Sequence, residues 1–156
     1  MDNGSGQRFF ADAMLGKLAR WMRTLGYDVA YDARIDDGEL LRRAIEEGRT
    51  ILTRDTRLML RRAAAGRAFF ITDDFVAEQL KQVVREFPPD EKMLLTRCLR
   101  CNARLEEIPR ESVEDKIPPY VFKTQTEFSS CPACHRVYWK ATHRQRMMED
   151  LKKLLG

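Results

Sequence analysis

No stretch of this sequence approaches the ~18 consecutive apolar residues that a membrane-spanning helix needs. Its start, Met1-Asp2-Asn3-Gly4-Ser5-Gly6-Gln7, has neither the basic nor the apolar region of a signal peptide, so a cytoplasmic protein is the expectation. Low-complexity tracts are missing, and so are internal repeats longer than a pair of short cysteine motifs, which excludes a repeat array. Neither sign of charge dominates. A net charge of +4 and a pI near 9.0 permit an anionic partner and suit a solvated basic surface equally well. Cysteine is confined to four residues and histidine to two. What remains is a chain of 156 residues, 44% of them hydrophobic, enough for one compact domain with or without a small appendage.

The chain is organised around Leu52-Thr53-Arg54-Asp55-Thr56. Thr50-Ile51-Leu52 is a short β-branched and aliphatic run, and a helix-like segment, Arg57 to Ala65, follows, so Asp55 stands where a buried strand gives way to a helix. The same alternation runs through the first 87 residues. Strands are expected at 9–11, 29–31, 50–53 and 68–71. Between them, Leu15 to Leu25 carries apolar residues at 15, 18, 19, 22 and 25, one helical face, with Gly26 placed to end it. Asp36 to Glu47 is a second helix, with Asp36 and Glu39 in capping-box spacing and Gly48 at its close. A further helix, Phe75 to Phe87, stops at Pro88-Pro89. Repeated strand–helix–strand units with short links predict an α/β fold: a parallel sheet with helices on both faces. The pattern breaks at residues 88–93, which divides an α/β domain (8–90) from an irregular, proline-containing segment (91–156) that closes with a helix, His143 to Leu155, marked by Thr142 and Gln145.

A parallel sheet brings the carboxyl ends of its strands to one edge, so Asp12, Asp37 and Asp55 can converge although far apart in sequence. Asp36, the helix cap, and Asp37, about 100° further around the helix, are expected to do different work. Each acid alone is most simply a cap or turn former. As a set they repel unless a cation compensates, and Mg²⁺ or Mn²⁺ suits such a cluster of oxygens. Asp73 or Asp74, after the fourth strand, is a candidate for a fourth ligand, although capping the next helix explains one of them as well. Lys17, Arg20, Arg54 and Arg57 could hold the phosphates of a polyanion such as RNA, against the plainer alternative of solvated helix faces.

The cysteines form two Cys-x-x-Cys pairs, Cys98/Cys101 and Cys131/Cys134. In a reducing compartment this spacing reads as one closed tetrahedral zinc site, structural because no position is left for a substrate. His135 and His143 could replace a ligand, but the fourth thiolate already exists.

Phe10-Ala11-Asp12-Ala13-Met14-Leu15-Gly16-Lys17-Leu18-Ala19-Arg20-Trp21, then Ile51-Leu52-Thr53-Arg54-Asp55, the two cysteine pairs and Val137-Tyr138-Trp139-Lys140-Ala141-Thr142-His143 together resemble the Mut-seven C-terminal RNase domain family. That family is a branch of the PIN-like nucleases with an appended zinc ribbon. Ala141 departs from the glycine common before Thr-His. The resemblance, over about residues 8–148, implies a PIN-like α/β domain and metal-dependent ribonuclease chemistry. Asp12, Asp37 and Asp55 match the PIN-like acids, and Asp73 matches a fourth more loosely. Two other classes stay open beside it. A non-catalytic RNA-binding module would use the ribbon and the basic helices, leaving the acids structural. A phosphoacceptor receiver would also place Asp after its first and third strands, but it needs a fifth strand ending in Lys, where this chain has Pro88-Pro89.

Overall fold

The computed structural model describes residues 6–139 and 141–155, the side chains of 141–144 excepted. It divides into two compact units, one running through Leu94 and one from Leu95 to the end. The expected division at 90/91 lies a few residues earlier. A 3-10 turn at Glu91–Met93 belongs to the first unit. There Gly26, at φ 91°, approaches Met93 so closely that an added Cβ would stand 2.3 Å from its carbonyl oxygen.

The first unit alternates β1 (Arg8–Ala11), α1 (Gly16–Thr24), β2 (Asp28–Tyr31), α2 (Asp37–Glu47), β3 (Thr50–Thr53), α3 (Thr56–Met59), β4 (Ala68–Phe70) and α4 (Val76–Glu86). Its strands pair in parallel in the order β2-β1-β3-β4. Both faces are covered, which is why β1 and β3 are continuous apolar runs rather than alternating ones: Phe9, Phe10, Ala11, Ile51 and Leu52 are all buried. Neighbouring side chains serve opposite layers. Phe10 and Ile51 join Leu40, Leu41, Ala44 and Leu58 beneath α2 and α3. Phe9 stacks edge-on against Tyr27 and against Phe87, just after α4, at centroid distances of 5.7 and 5.0 Å. On that side α1 packs on α4, burying Leu15, Leu18, Ala19, Met22 and Leu25, the face its spacing predicts.

The expected basic helix over 57–65 is broken. It consists of α3 and a separate 3-10 turn at Arg62–Ala64. Residues one turn beyond the buried Leu58 are Arg61 and Arg62, which cannot enter a core, and the bend instead lets Ala64 reach it. At the amino end of the sheet, charge is met internally. Buried Arg49 pairs with Asp28 (2.7 Å) and Glu47 (2.8 Å), and Arg8 reaches Asp28 at 3.3 Å.

The second unit carries an antiparallel sheet, β5 (Glu106–Ile108), β6 (Phe128–Ser130) and β7 (Val137–Trp139), in sequential order. The segment between the cysteine pairs is less irregular than expected. It holds a 3-10 turn at Arg110–Val113 and a helix α5 (Pro119–Thr124) with proline at its first position, and Val113, Ile117, Val121 and Phe128 form a small core. The last helix, α6 (Ala141–Leu155), starts before Thr142, which therefore lies inside its first turn; the side chain of Thr142, like that of His143, falls outside the described ones.

Candidate functional site

In the strand order β2-β1-β3-β4 the chain moves outward from β1 to β2 and then returns across the sheet to β3. The crevice of such a sheet lies between the carboxyl ends of β1 and β3. Asp12 and Asp55 stand at those two ends. The Asp12 N–H extends the ladder to the Leu52 carbonyl at 2.9 Å. Between the two acids sits Thr53, fully buried, whose hydroxyl donates to Asp12 Oδ2 at 2.8 Å and accepts from the Asp55 N–H at 2.9 Å. Asp12 Oδ1 also accepts from Ala13 N–H at 2.7 Å, and Asp55 Oδ1 accepts from Arg57 N–H at 2.8 Å, capping α3. Asp12 is 7% exposed, so these bonds hold a nearly buried carboxylate in one orientation.

Asp36 and Asp37 divide as the helix geometry requires. Asp36 is the N-cap of α2, its Oδ1 accepting from Glu39 N–H at 2.8 Å. Asp37, one residue into the helix, has its pKa raised, first by burial, then by the charges of Asp12 and Asp55 and by Asp36, with Arg61 opposing. Asp12, Asp37 and Asp55 thus share one electrostatic neighbourhood. Among the described residues, no three carboxylates are gathered with oxygens all within 4.8 Å of one another.

Other expected site residues are engaged nearby or locally. Asp73 Oδ1 accepts from Phe75 N–H at 2.8 Å, and its carbonyl accepts from Gln79 Nε2 at 2.8 Å, so it shapes the turn into α4. Asp74 forms an ion pair with Arg54, whose Nε is buried without a hydrogen-bond partner. Lys17 and Arg20 on α1 and Arg57 on α3 are exposed. The sequence reading missed Thr53 and Arg61. Thr53 sits inside the run Leu52-Thr53-Arg54-Asp55, but nothing in that run says its hydroxyl faces Asp12. Arg61 was hidden within the basic segment expected to be one helix.

In the second unit, one sulfur from each of Cys98, Cys101, Cys131 and Cys134 lies within 4.8 Å of all the others, and none is in a disulfide. A tetrahedral ion with ~2.3 Å bonds to sulfur requires sulfur–sulfur edges of about 3.8 Å. Cys98 and Cys134 are 3.7 Å apart, so the residues present fit a zinc-sized ion and a zinc ribbon. The two knuckles share one geometry. Asn102 N–H donates to the Cys98 carbonyl at 2.9 Å and His135 N–H to the Cys131 carbonyl at 2.8 Å, while the N–H groups of Cys101 and Cys134 each reach the first sulfur of their pair at 3.4 Å. Asn102 (φ 67°) and His135 (φ 63°) fill matching left-handed positions, which gives His135 a turn role outside the ligand set. Tyr138, also missed as a site residue, places its hydroxyl 3.2 Å from Cys98 Sγ and accepts from Leu99 N–H at 3.2 Å. Burial pushes the Cys98 thiol up, but the Tyr138 hydroxyl and the backbone N–H groups outweigh it and bring the pKa down to about 7, suited to a thiolate ligand. Cys101 is pushed up to about 12 by burial and by the other sulfurs, the crowding of four thiols that a cation relieves.

No helix among the described residues is long and apolar enough to cross a membrane. Neither the curated proteins nor the solved structures contain a match to this chain. The family model described as the Mut7-C RNAse domain matches residues 7–151, which takes in both the acid edge and the four cysteines. The chain belongs to the Mut7-C RNAse domain family.

Proposed function

We propose that this protein hydrolyses RNA phosphodiester bonds at the acid edge of the parallel sheet, with Mg²⁺ or Mn²⁺ held by Asp12, Asp37 and Asp55. The observation that carries the reading is the coupling at the switch point. One buried hydroxyl, Thr53, orients the Asp12 carboxylate and the Asp55 backbone together, and the charges of both acids raise the pKa of Asp37. An all-oxygen donor set in which one member resists ionisation beside two others fits a hard divalent ion. When bound, such an ion supplies Lewis-acid stabilisation of phosphoryl charge and a bound water of lowered pKa. The protein's part is to fix the acids and place the substrate. Asp12 and Asp55 arrive pre-oriented, whereas Asp37 is the member whose protonation and repulsion respond to the cation. Arg61 beside Asp37, with Lys17, Arg20 and Arg57, supplies positive charge for phosphates. Arg54 contributes through its pair with Asp74, and Asp73 is the peripheral fourth acid. The thiol cluster holds structural zinc in a reducing, cytoplasmic setting.

A module that binds RNA without cutting it is the second reading. It is favoured by the internal hydrogen bonds of Asp12 and Asp55 and by the spread of the carboxylates. Purified protein incubated with single-stranded RNA and Mn²⁺, Mg²⁺ or no added divalent ion separates the two. Cleavage that needs the added ion and is lost in Asp37→Asn supports the nuclease. RNA retained intact by wild-type protein under all three conditions leaves the binding module.

A further inference from the structure

A hollow of about 630 Å³ opens in the second unit. That volume falls within the ~300–1,000 Å³ typical of small-ligand sites. Its wall takes Arg100 from the first knuckle, Lys116 and Pro118 from the chain ahead of α5, His135 and Arg136 from the second knuckle, and Trp139 from β7. Three permanent cations thus share the lining with a half-buried indole, and among the described residues no acidic side chain lines the space. Cys134 lines the hollow as well, so the cationic wall adjoins the thiol cluster and adds to it charges that no thiolate supplies.

A ligand matched to this wall carries negative charge at its edges and a flat, apolar body at its centre. Nucleotides of a single strand have that form: phosphates pair with Lys and Arg while the base stacks on an aromatic ring, a contact indifferent to base identity. A free inorganic anion would engage the cations alone, whereas a nucleotide also uses the part of the Trp139 ring left open to the hollow by its packing on the small core. We propose that the hollow is a subsite for single-stranded RNA, with a base against Trp139 and the flanking phosphates on Arg100, Lys116 and Arg136. The inference deepens the reading of RNA as substrate and rests on it.

Trp21 and Trp139 are the two tryptophans of the chain, so Trp21→Phe leaves Trp139 as the sole indole reporter. The full chain carrying Trp21→Phe and Asp37→Asn, the latter to spare the probe, is titrated with a ~10-nucleotide oligouridylate, within the span of one single-strand site. Saturable quenching of Trp139 is expected. Adding Lys116→Glu and Arg136→Glu should leave zinc content unchanged, weaken binding five- to tenfold or more, and flatten the logarithmic salt slope by about 1.4, two contacts at ~0.7 each. Inorganic phosphate that quenches Trp139 as fully as the oligonucleotide would overturn the stacking role. Unchanged affinity and slope in a zinc-replete double variant would overturn the subsite, and loss of zinc from that variant would assign the cations to the metal centre instead. Cleavage assays in the Asp37 background keep the two readings apart. RNA cut by wild-type protein without any Trp139 response removes the subsite alone, and quenching without cleavage removes the nuclease alone.

Discussion

Asp36 and Asp37 are adjacent, yet the fold gives them opposite relations to stability, and a pair of substitutions makes that measurable. Asp36 accepts one N–H of the first turn of α2 at 2.8 Å from an exposed position, so Asp36→Ala should cost about 1 kcal/mol, near the middle of the range for N-caps. On a unit of this size that is a fall in Tm of roughly 4–8 °C. Asp36→Asn should cost little, because Asn caps equally well. Cleavage should survive both. Asp37 runs the other way. Its folded-state pKa is raised by burial and by Asp12 and Asp55, so the folded chain holds this proton to higher pH than the unfolded chain does. The sign follows: below the unfolded value of about 3.9 the penalty is absent, and it grows as pH rises until Asp37 is ionised in the folded state. Asp37→Asn should therefore melt at or above wild type at neutral pH and flatten the decline in stability across that window. Mn²⁺ should raise the wild-type Tm and leave that of Asp37→Asn unmoved, with cleavage abolished. Thermal melts at several pH values, with and without Mn²⁺, and cleavage rates for the three variants form the test. An inactive Asp36→Asn beside an active Asp37→Asn would refute the assignment, and a destabilised Asp37→Asn at neutral pH would refute the electrostatic argument.

Thr53→Val should cost about 1–3 kcal/mol and most of the cleavage rate, because Asp12 Oδ2 and the Asp55 N–H lose a shared buried partner; Thr53→Ser should restore both, and equal rates for Val and Ser would show that the hydroxyl does not position the acids. Cys98→Ser should lower zinc content and cooperative melting of the 95–156 unit, whereas Asp55→Asn should leave both intact, as read by elemental analysis and calorimetry. Lys17→Ala, Arg20→Ala and Arg57→Ala should each flatten the salt dependence of single-stranded RNA binding by about 0.7, and Arg54→Ala by less, since Arg54 is already paired with Asp74; a larger change at Arg54 would contradict that pairing as the state that meets RNA.

Where neighbours in sequence decide the structure, the sequence was readable. The apolar face of α1, the Asp36 cap and the left-handed Gly48 after α2 follow from spacing and backbone freedom, and each stands where expected. The parallel sheet follows from the alternation of buried runs with helical ones, and β3 spans the residues expected of it. Partners supplied across the fold were hidden. The capping box is half formed because Glu39 turns to Arg42, forming an ion pair on the outer face of the helix, rather than back to Asp36. Arg54, expected to hold phosphate, is paired with Asp74, which follows β4 in the sequence, a partner that no local spacing announces.

Histidine 135 shows the same limit in the ribbon. Beside a cysteine pair, spacing alone permits a ligand, a surface residue or a turn former, and only the comparison of two knuckles in one molecule decides among them. Asn102 and His135 hold the same place after the second cysteine, the same left-handed backbone and the same N–H bond to the first cysteine's carbonyl. Asn102 cannot be serving as a thiolate's substitute there, since four sulfurs already complete the set. The shared feature is the backbone turn that aims both sulfurs of a pair inward, and His135 is placed by that need. His135 lines the cationic hollow together with Arg100 and Trp139, so the turn that builds the metal centre also builds one wall of the proposed RNA subsite.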